Sequence, residues 1–153
     1  MNTLVAPSTA AISAMIYMNY VNEIKYEDLV SCILSGAVAI TAGCYTVSWW
    51  ASAIIGFASS FFYFWSIWFV RKKLIIDDPL CVTSIHLFCG YFGGIVQGLF
   101  GNGTVGDAGL LYGGWWHFVV QLVGSIVIFV FEFGMGLILW YLILDIMIVN
   151  KCK

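Results

Sequence analysis

Charged residues are scarce in this sequence: Asp, Glu, Lys and Arg make up 9% of its 153 positions, whereas apolar side chains make up 62%. Soluble globular domains carry about 25% charged residues, because polar groups must cover their surface. A chain this short and this apolar lacks the residues for such a surface, so an ordinary soluble domain is excluded. The mean hydropathy of +0.98 and the aromatic content of 18% indicate instead a protein whose solvent is the lipid bilayer.

Basic residues and recognisable catalytic motifs are also lacking. The chain has only six Lys and Arg residues and a net charge of −2, which excludes the basic patch that a nucleic-acid-binding face needs. The five cysteines match neither a disulfide framework nor a paired CxxC zinc site, and we expect them to be small buried apolar residues. No HExxH, GxSxG or phosphate-binding glycine loop occurs. The sequence therefore predicts neither an enzyme nor a cofactor or metal site.

Charged and turn residues divide the chain into five apolar stretches. A helix needs roughly 20 residues to cross about 30 Å of hydrocarbon, and the length of each stretch is compared with this number. The stretches cover residues 4–20, 29–47, 50–70, 80–100 and 115–149. Gly43 and the Trp49-Trp50 pair mark the boundary between the second and third, which no charge separates. A membrane β-barrel would need alternating segments, which these uniformly apolar stretches do not show. The predicted fold class is all-α: a polytopic bundle of about five transmembrane helices, forming one domain over residues 1–153.

The distribution of the basic residues predicts the orientation of these spans. With five spans, the first connector, the third connector and the C-terminus share one side of the membrane. All six basic residues lie there: Lys25, Arg71, Lys72, Lys73, Lys151 and Lys153. Because basic residues accumulate on the cytosolic side, we expect the N-terminus outside and the C-terminus inside. The plasma membrane is the default location, since the sequence shows no transit peptide.

Two ribs of small residues occur at helical spacing, and we expect both to pack against neighbouring helices. They are Gly90-Gly94-Gly98 in the fourth span and Ser52-Gly56-Ser60 in the third.

Ionisable residues inside the spans are candidate functional groups. His86 lies about two turns into the fourth span, and it is either a functional imidazole or a neutral one hydrogen-bonded to another helix. Glu132, on one helix face with Gln121 and Ser125, either belongs to a proton or cation path or bonds across helices. His117 follows two tryptophans and is predicted to lie at the membrane interface.

The stretch 76–100, IDDPLCVTSIHLFCGYFGGIVQGLF, resembles the signature of the ammonium transporter (Amt/Mep/Rh) family, whose tenth helix follows a pattern close to DDPLDVFxVHGVxGxxGxxxTGLF. LSGAVAITAGC resembles the family's eighth helix, ASAIIGFASS its ninth, and GLLYGG the start of its eleventh. The resemblance covers essentially the whole chain. It implies the second of two inverted five-helix repeats plus the last helix.

By this resemblance, His86 lines an ammonium pathway, and Thr41 lies near the eighth-helix position that faces the pore. Asp78 would hold the inner end of the tenth helix, and Gly90 and Gly93 would be structural residues near the pore. The sequence departs from the family pattern at four positions, and the leucine among them is expected to crowd a close helix contact. These positions are Cys81, Thr83, Leu87 and Glu132.

The resemblance also implies trimers, and six further helices that precede these five in the family. We therefore expect a truncated or split ammonium transporter that needs a complementary first-half polypeptide or a full-length relative. The alternative is a non-transporting modulator of a full-length transporter, or an inactive fragment. A third interpretation is a proton-coupled carrier of another kind that uses Glu132.

Overall fold

The structure, a computed structural model, describes residues 1–151, with side chains described for 1–144 and 147. Cys152 and Lys153 lie outside the described residues, so the predictions that concern them are not addressed. Five α-helices follow one another along the chain. They are α1 (Asn2–Val21), α2 (Tyr26–Thr41), α3 (Trp49–Phe69), α4 (Cys89–Phe100) and α5 (Trp115–Lys151). The described residues form no β-strand beyond isolated bridges, so the all-α prediction is confirmed.

Within the described residues, three segments are long and apolar enough to cross a membrane: Asn2–Val21, Trp49–Leu74 and Trp115–Leu144. The two other expected spans are helical over shorter stretches. α2 has 16 residues, and the 12 residues of α4 follow directly on a six-residue π-helical segment, Thr83–Phe88. A second π-helical segment, Val70–Leu74, extends α3.

The helix ends follow local sequence signals. α1 ends at Asn22, which adopts the left-handed backbone conformation with φ 56°, as asparagine does readily after a helix. α2 carries Glu27 and Asp28 in its first turn, where acidic side chains interact favourably with the helix dipole. α3 begins at Trp49 after a turn that contains Gly43, so the predicted boundary between the second and third spans is confirmed.

The rib of small residues in α3 packs against α1, as predicted. The hydroxyl of Ser52 donates a hydrogen bond of 2.9 Å to the backbone oxygen of Asn2, and that of Ser60 donates one of 2.7 Å to the oxygen of Ala10. Between them, Gly56 lies so close to the backbone of Ala6 that a side chain would overlap it. Small residues therefore let the two helices approach to backbone contact.

Hydrogen bonds that link the helices to each other and to a connector mark the two ends of the bundle. At one end, the Asn2 side-chain amide donates to the backbone oxygens of Cys44 and Val47, at 3.1 and 2.8 Å. At the other end, the Tyr63 hydroxyl donates to Asp28 over 3.3 Å. Arg71 lies at this second end, with its guanidinium 3.5 Å from the sulfur of Cys81. The connectors that carry Lys25 and Arg71–Lys73 therefore share one end of the bundle.

Two apolar clusters form the core, and cysteines belong to one of them. Cys32, Cys81 and Cys89 are buried there with Tyr63, and Cys44 is half-buried beside the other cluster. The prediction that the cysteines are small buried residues is confirmed for these three. In contrast, the described part of α5 packs mainly against α4 and the short turn Leu110–Tyr112, and most of its apolar side chains are exposed.

Candidate functional site

The helix that carries His86 is capped by Asp78. One carboxylate oxygen of Asp78 accepts a hydrogen bond of 2.9 Å from the N–H of Val82, and the other accepts one of 2.8 Å from the N–H of Thr83. A carboxylate at this position satisfies N–H groups that have no partner within the helix and interacts favourably with its dipole. Asp78 thus fixes the start of the segment on which His86 lies.

His86 lies in the π-helical segment Thr83–Phe88, not in a regular α-helix. Its two preceding neighbours, Ser84 and Ile85, are buried, whereas the imidazole is exposed on the bundle surface. A π-helical turn changes the direction in which the side chains after it point, and such turns are frequent at functional sites. Here the imidazole points into a groove between α4 and α5.

This groove, which we call the His86 groove, has a volume of about 310 Å³ and is open on one side. Glycines leave room on the α4 side, and polar side chains line the α5 side. Its lining includes His86, Gly90 and Gly94 from one side and Gln121, Ser125 and Glu132 from the other. The sequence prediction that Gln121, Ser125 and Glu132 share a helix face is therefore confirmed.

The structure does not bring Thr41 into the His86 groove. Thr41 is exposed at the end of α2, and its hydroxyl donates a 2.6 Å hydrogen bond to the backbone oxygen of Val38 in its own helix. The next residue, Ala42, lines the groove instead.

The glycines of α4 divide between two neighbours. Gly94 and Gly98 face α5, where an added Cβ would lie 3.4 Å from the Ser125 hydroxyl and 3.1 Å from the Gln121 Cβ. Gly93 faces α2, and a Cβ added there would overlap the α2 backbone. A Cβ added at Gly90 would make a single contact, at ordinary van der Waals distance. The predicted rib Gly90-Gly94-Gly98 packs against α5 through its last two members alone.

Leu87 is half-buried and lines a second, apolar groove of about 620 Å³ together with Phe62, Phe92 and Leu122. Among the described helices it lies beside free space, so the expectation that it crowds a helix contact stays a prediction.

A polar network that sequence analysis missed joins α4, α5 and two connectors. The imidazole Nε2 of His117 lies 3.0 Å from the side-chain oxygen of Gln97, to which it donates because an amide oxygen can only accept. The Gln97 amide donates over 3.2 Å to the hydroxyl of Thr46, and the His117 Nδ1 lies 3.7 Å from the Asp107 carboxylate. His117 is therefore half-buried in a network between elements, and its position at the membrane interface stays a prediction.

Glu132 was expected either to belong to a proton or cation path or to bond across helices. Among residues 1–144 its carboxylate forms neither a hydrogen bond nor an ion pair, so no bond across helices holds it there. In the described part of the chain, no three His, Cys, Asp or Glu side chains are placed to hold a metal ion.

Comparison with known proteins gives one consistent result. A family model described as Ammonium Transporter Family matches residues 1–151. The ammonium transporter Amt2 of Archaeoglobus fulgidus is 34% identical over an alignment of 152 positions, which covers 93% of this chain and 32% of that protein. The ammonium transporter of Aquifex aeolicus is 35% identical over 127 residues, 82% of this chain and 30% of that protein. The chain thus spans about a third of the length of these relatives, which are named as transporters and not as enzymes.

Solved structures share the fold. A chain described as a Sensor Amt Protein matches with a TM-score of 0.80 and 28% identity, covering 90% of this chain and 34% of that chain. The crystal structure of Candida albicans Mep2 matches with a TM-score of 0.78 over 88% of this chain and 31% of that one; its identity of 24% supports the fold alone.

Proposed function

This chain belongs to the ammonium transporter family, and from that premise we propose that it supplies one half of a pathway for ammonium or ammonia across a membrane. The relatives that it matches are named ammonium transporters, but each is about three times as long as this chain. The proposal is therefore that this chain acts with a first set of helices. These belong to the same polypeptide, to a separate chain or to a full-length relative.

The observation that carries this proposal is the position of His86. Its imidazole is exposed on a groove in an otherwise apolar bundle, and the glycines beside it leave space for a small permeant. In a membrane interior, a permeant that has lost its water needs hydrogen-bond partners, and a neutral imidazole provides both a donor and an acceptor. His86 is the residue proposed to line the path, with Asp78 as the positioning residue that caps its helix.

The open side of the His86 groove supports the need for a second half. Polar groups facing hydrocarbon have no partners there, so His86, Gln121 and Glu132 require a cover of protein. Thr41 is exposed on α2, and we place it on the face that these further helices cover, with Gly90 and Gly93 as structural residues near the path. Assembly as family-like trimers is part of the same proposal.

The proposed orientation has the N-terminus outside and the C-terminus inside, in the plasma membrane. It is supported by the common end of the bundle at which Lys25 and Arg71–Lys73 lie, because basic connectors accumulate on the cytosolic side.

The second candidate function is a non-transporting modulator that assembles with a full-length transporter, or an inactive fragment. It is favoured by two observations. The groove lining includes a carboxylate, Glu132, where the family pattern more often has a small polar residue. The large exposed apolar surface of α5 is also suited to contact another membrane protein.

Uptake of labelled methylammonium by transporter-deficient cells tests the proposal. The cells express this chain alone, or together with the first six helices of a relative, and the amount of the chain in the membrane is measured in each case. We expect uptake only with the complementing helices, lost in His86→Ala and retained in the matched variant His117→Ala. Absence of uptake in both cases, with the chain present in the membrane, would contradict transport and favour the modulator or the inactive fragment.

A further inference from the structure

Glu132 is an ionisable residue to which the proposed pathway gives no role. It lies within Trp115–Leu144, a segment long and apolar enough to cross a membrane, where a carboxylate without a partner is costly. No described side chain bonds to it or neutralises it. Its side chain lines the His86 groove, so a cation bound in that groove is one group that could neutralise it.

The packing of α4 against α5 brings His86 and Glu132 to the same groove. The helices run antiparallel: Gly98 faces Gln121, and four residues earlier on α4, Gly94 faces Ser125, four residues later on α5. The ring contact of Tyr91 with Phe129, at 5.9 Å between centroids, continues this register. The π-helical segment that bears His86 directly precedes α4, and Glu132 follows Phe129 on α5, so both side chains lie beyond this last contact and line the His86 groove.

The space between these two side chains is large enough for a small ligand. Gly90 and Gly94 leave the α4 wall without side chains, and the groove has a volume of about 310 Å³. A water molecule, which is close in size to an ammonium ion, needs about 30 Å³. The hydroxyl of Ser125 donates to the backbone oxygen of Gln121 over 2.7 Å, so its own oxygen remains free to accept a hydrogen bond from a ligand.

We propose that Glu132 is a cation-binding residue of the His86 groove, where its carboxylate supplies the counter-charge for a small ammonium-type cation that His86 contacts from the opposite wall. This rests on the proposed function and deepens it, because it names the charged form as the species held at this site. A carboxylate favours the ammonium ion over uncharged ammonia, because only the ion adds the attraction of opposite charges to the hydrogen bond. The N–H groups of the cation donate to the Glu132 carboxylate, to a ring nitrogen of His86 and to the Ser125 hydroxyl.

Ligand-dependent thermal unfolding of the purified full chain in detergent tests this site. The probe is methylammonium chloride, with sodium chloride at the same ionic strength as the reference. We expect methylammonium to stabilise the wild-type chain, Glu132→Asp to keep part of the effect, and Glu132→Gln to bind at least about tenfold more weakly. Glu27→Gln, which neutralises an exposed acidic residue outside the groove, should bind as the wild type does. Tetramethylammonium, which carries the charge but has no N–H group, should stabilise the chain much less.

Three results would overturn the site: no stabilisation of the wild type by methylammonium, equal affinity in Glu132→Gln, or equal stabilisation by tetramethylammonium. Circular dichroism and the unfolding midpoint without ligand show whether each variant is folded, and Glu132→Ser replaces Glu132→Gln if the latter is not. Uptake with the complementing helices separates the two proposals. Binding of methylammonium without uptake would contradict the transport proposal but not the binding site. Uptake by Glu132→Gln with unchanged affinity would contradict the binding site but not the transport proposal.

Discussion

Gly93 of α4 packs directly on the backbone of Ala39 in α2, so closely that a Cβ at position 93 would overlap the Ala39 carbonyl group. This contact sets the distance between the two helices. Because α4 continues the segment that bears His86, and α2 leads into Ala42 at the groove edge, the same contact holds Ala42 beside the His86 groove.

Gly93→Ala should therefore destabilise the chain. Neither backbone can move aside easily, and overpacking of this kind costs about 1–3 kcal/mol. Thermal unfolding in detergent measures the change. Gly134→Ala is the control, because no atom lies within 4 Å of a Cβ added there. It should be neutral or stabilise by about 0.5–1 kcal/mol, since alanine favours the helix more than glycine does. Equal effects of the two substitutions would contradict the close contact.

Removing the helix cap should loosen the segment that carries His86. Asp78→Ala deletes both hydrogen bonds to the N–H groups of Val82 and Thr83, and a lost cap costs about 0.5–2 kcal/mol. Hydrogen exchange should show faster exchange of these two amides than in the wild type, and Asp78→Asn should restore part of the protection. Asp77→Ala, at the adjacent exposed residue, should leave both amides protected. Unchanged exchange in Asp78→Ala would show that the carboxylate does not hold the helix start.

Ile75 should gain stability from substitution. It adopts the left-handed conformation with φ 55° while its side chain is 85% exposed, so it combines backbone strain with little burial. A β-branched residue is rare in this conformation, whereas asparagine adopts it readily. Ile75→Asn should raise the free energy of unfolding by about 1 kcal/mol.

The matched control for this change is Ile76→Asn, because Ile76 is not among the non-glycine residues of positive φ and is partly covered, at 47% exposure. The control should be neutral or destabilising in the same unfolding measurement. If both substitutions stabilise equally, solubility and not backbone strain is the cause.

The amide of Gln97 should hold the connector between α4 and α5 in place. Gln97→Leu leaves His117 without its amide partner and Thr46 without its donor. Backbone amides of this connector, among them those of Gly109 and Gly114, should then exchange faster. Thr46→Val, which removes one of the two bonds, should have the smaller effect. Faster amide exchange in Thr46→Val than in Gln97→Leu would contradict the central place of Gln97 in this network.

The helices and their boundaries could be predicted from the sequence because they depend on local signals. The charged connector that holds Lys25 and the turn at Gly43 separate apolar stretches in the sequence and helices in the structure. The length of an apolar stretch was less informative about the type of helix that it forms. The π-helical segment Thr83–Phe88 has the same apolar composition as an α-helix, so hydropathy does not distinguish the two forms.

The candidate site was predictable only in part, for a similar reason. His86 and Glu132 stand out individually, since ionisable residues are rare in apolar stretches. Their shared groove depends on the antiparallel register of α4 and α5, which no local pattern specifies. The resemblance predicted that Gly93 lies near the pore. Its contact with Ala39 could not be predicted, because the sequence does not say which helix each face of α4 packs against. The link between His117 and Gln97 likewise spans a connector of irregular structure.

The contact between α1 and α3 has a consequence for how this pair of helices can evolve. Ser52 and Ser60 bond to backbone oxygens, and Gly56 lies against a backbone carbonyl, so at these three positions α3 contacts the main chain of α1. Every residue type presents the same carbonyl oxygen, so the α1 residues met at these three positions are constrained by size. Residue pairs that involve Ser52, Gly56 or Ser60 should accordingly show little co-variation among homologous sequences, although the two helices are in close contact.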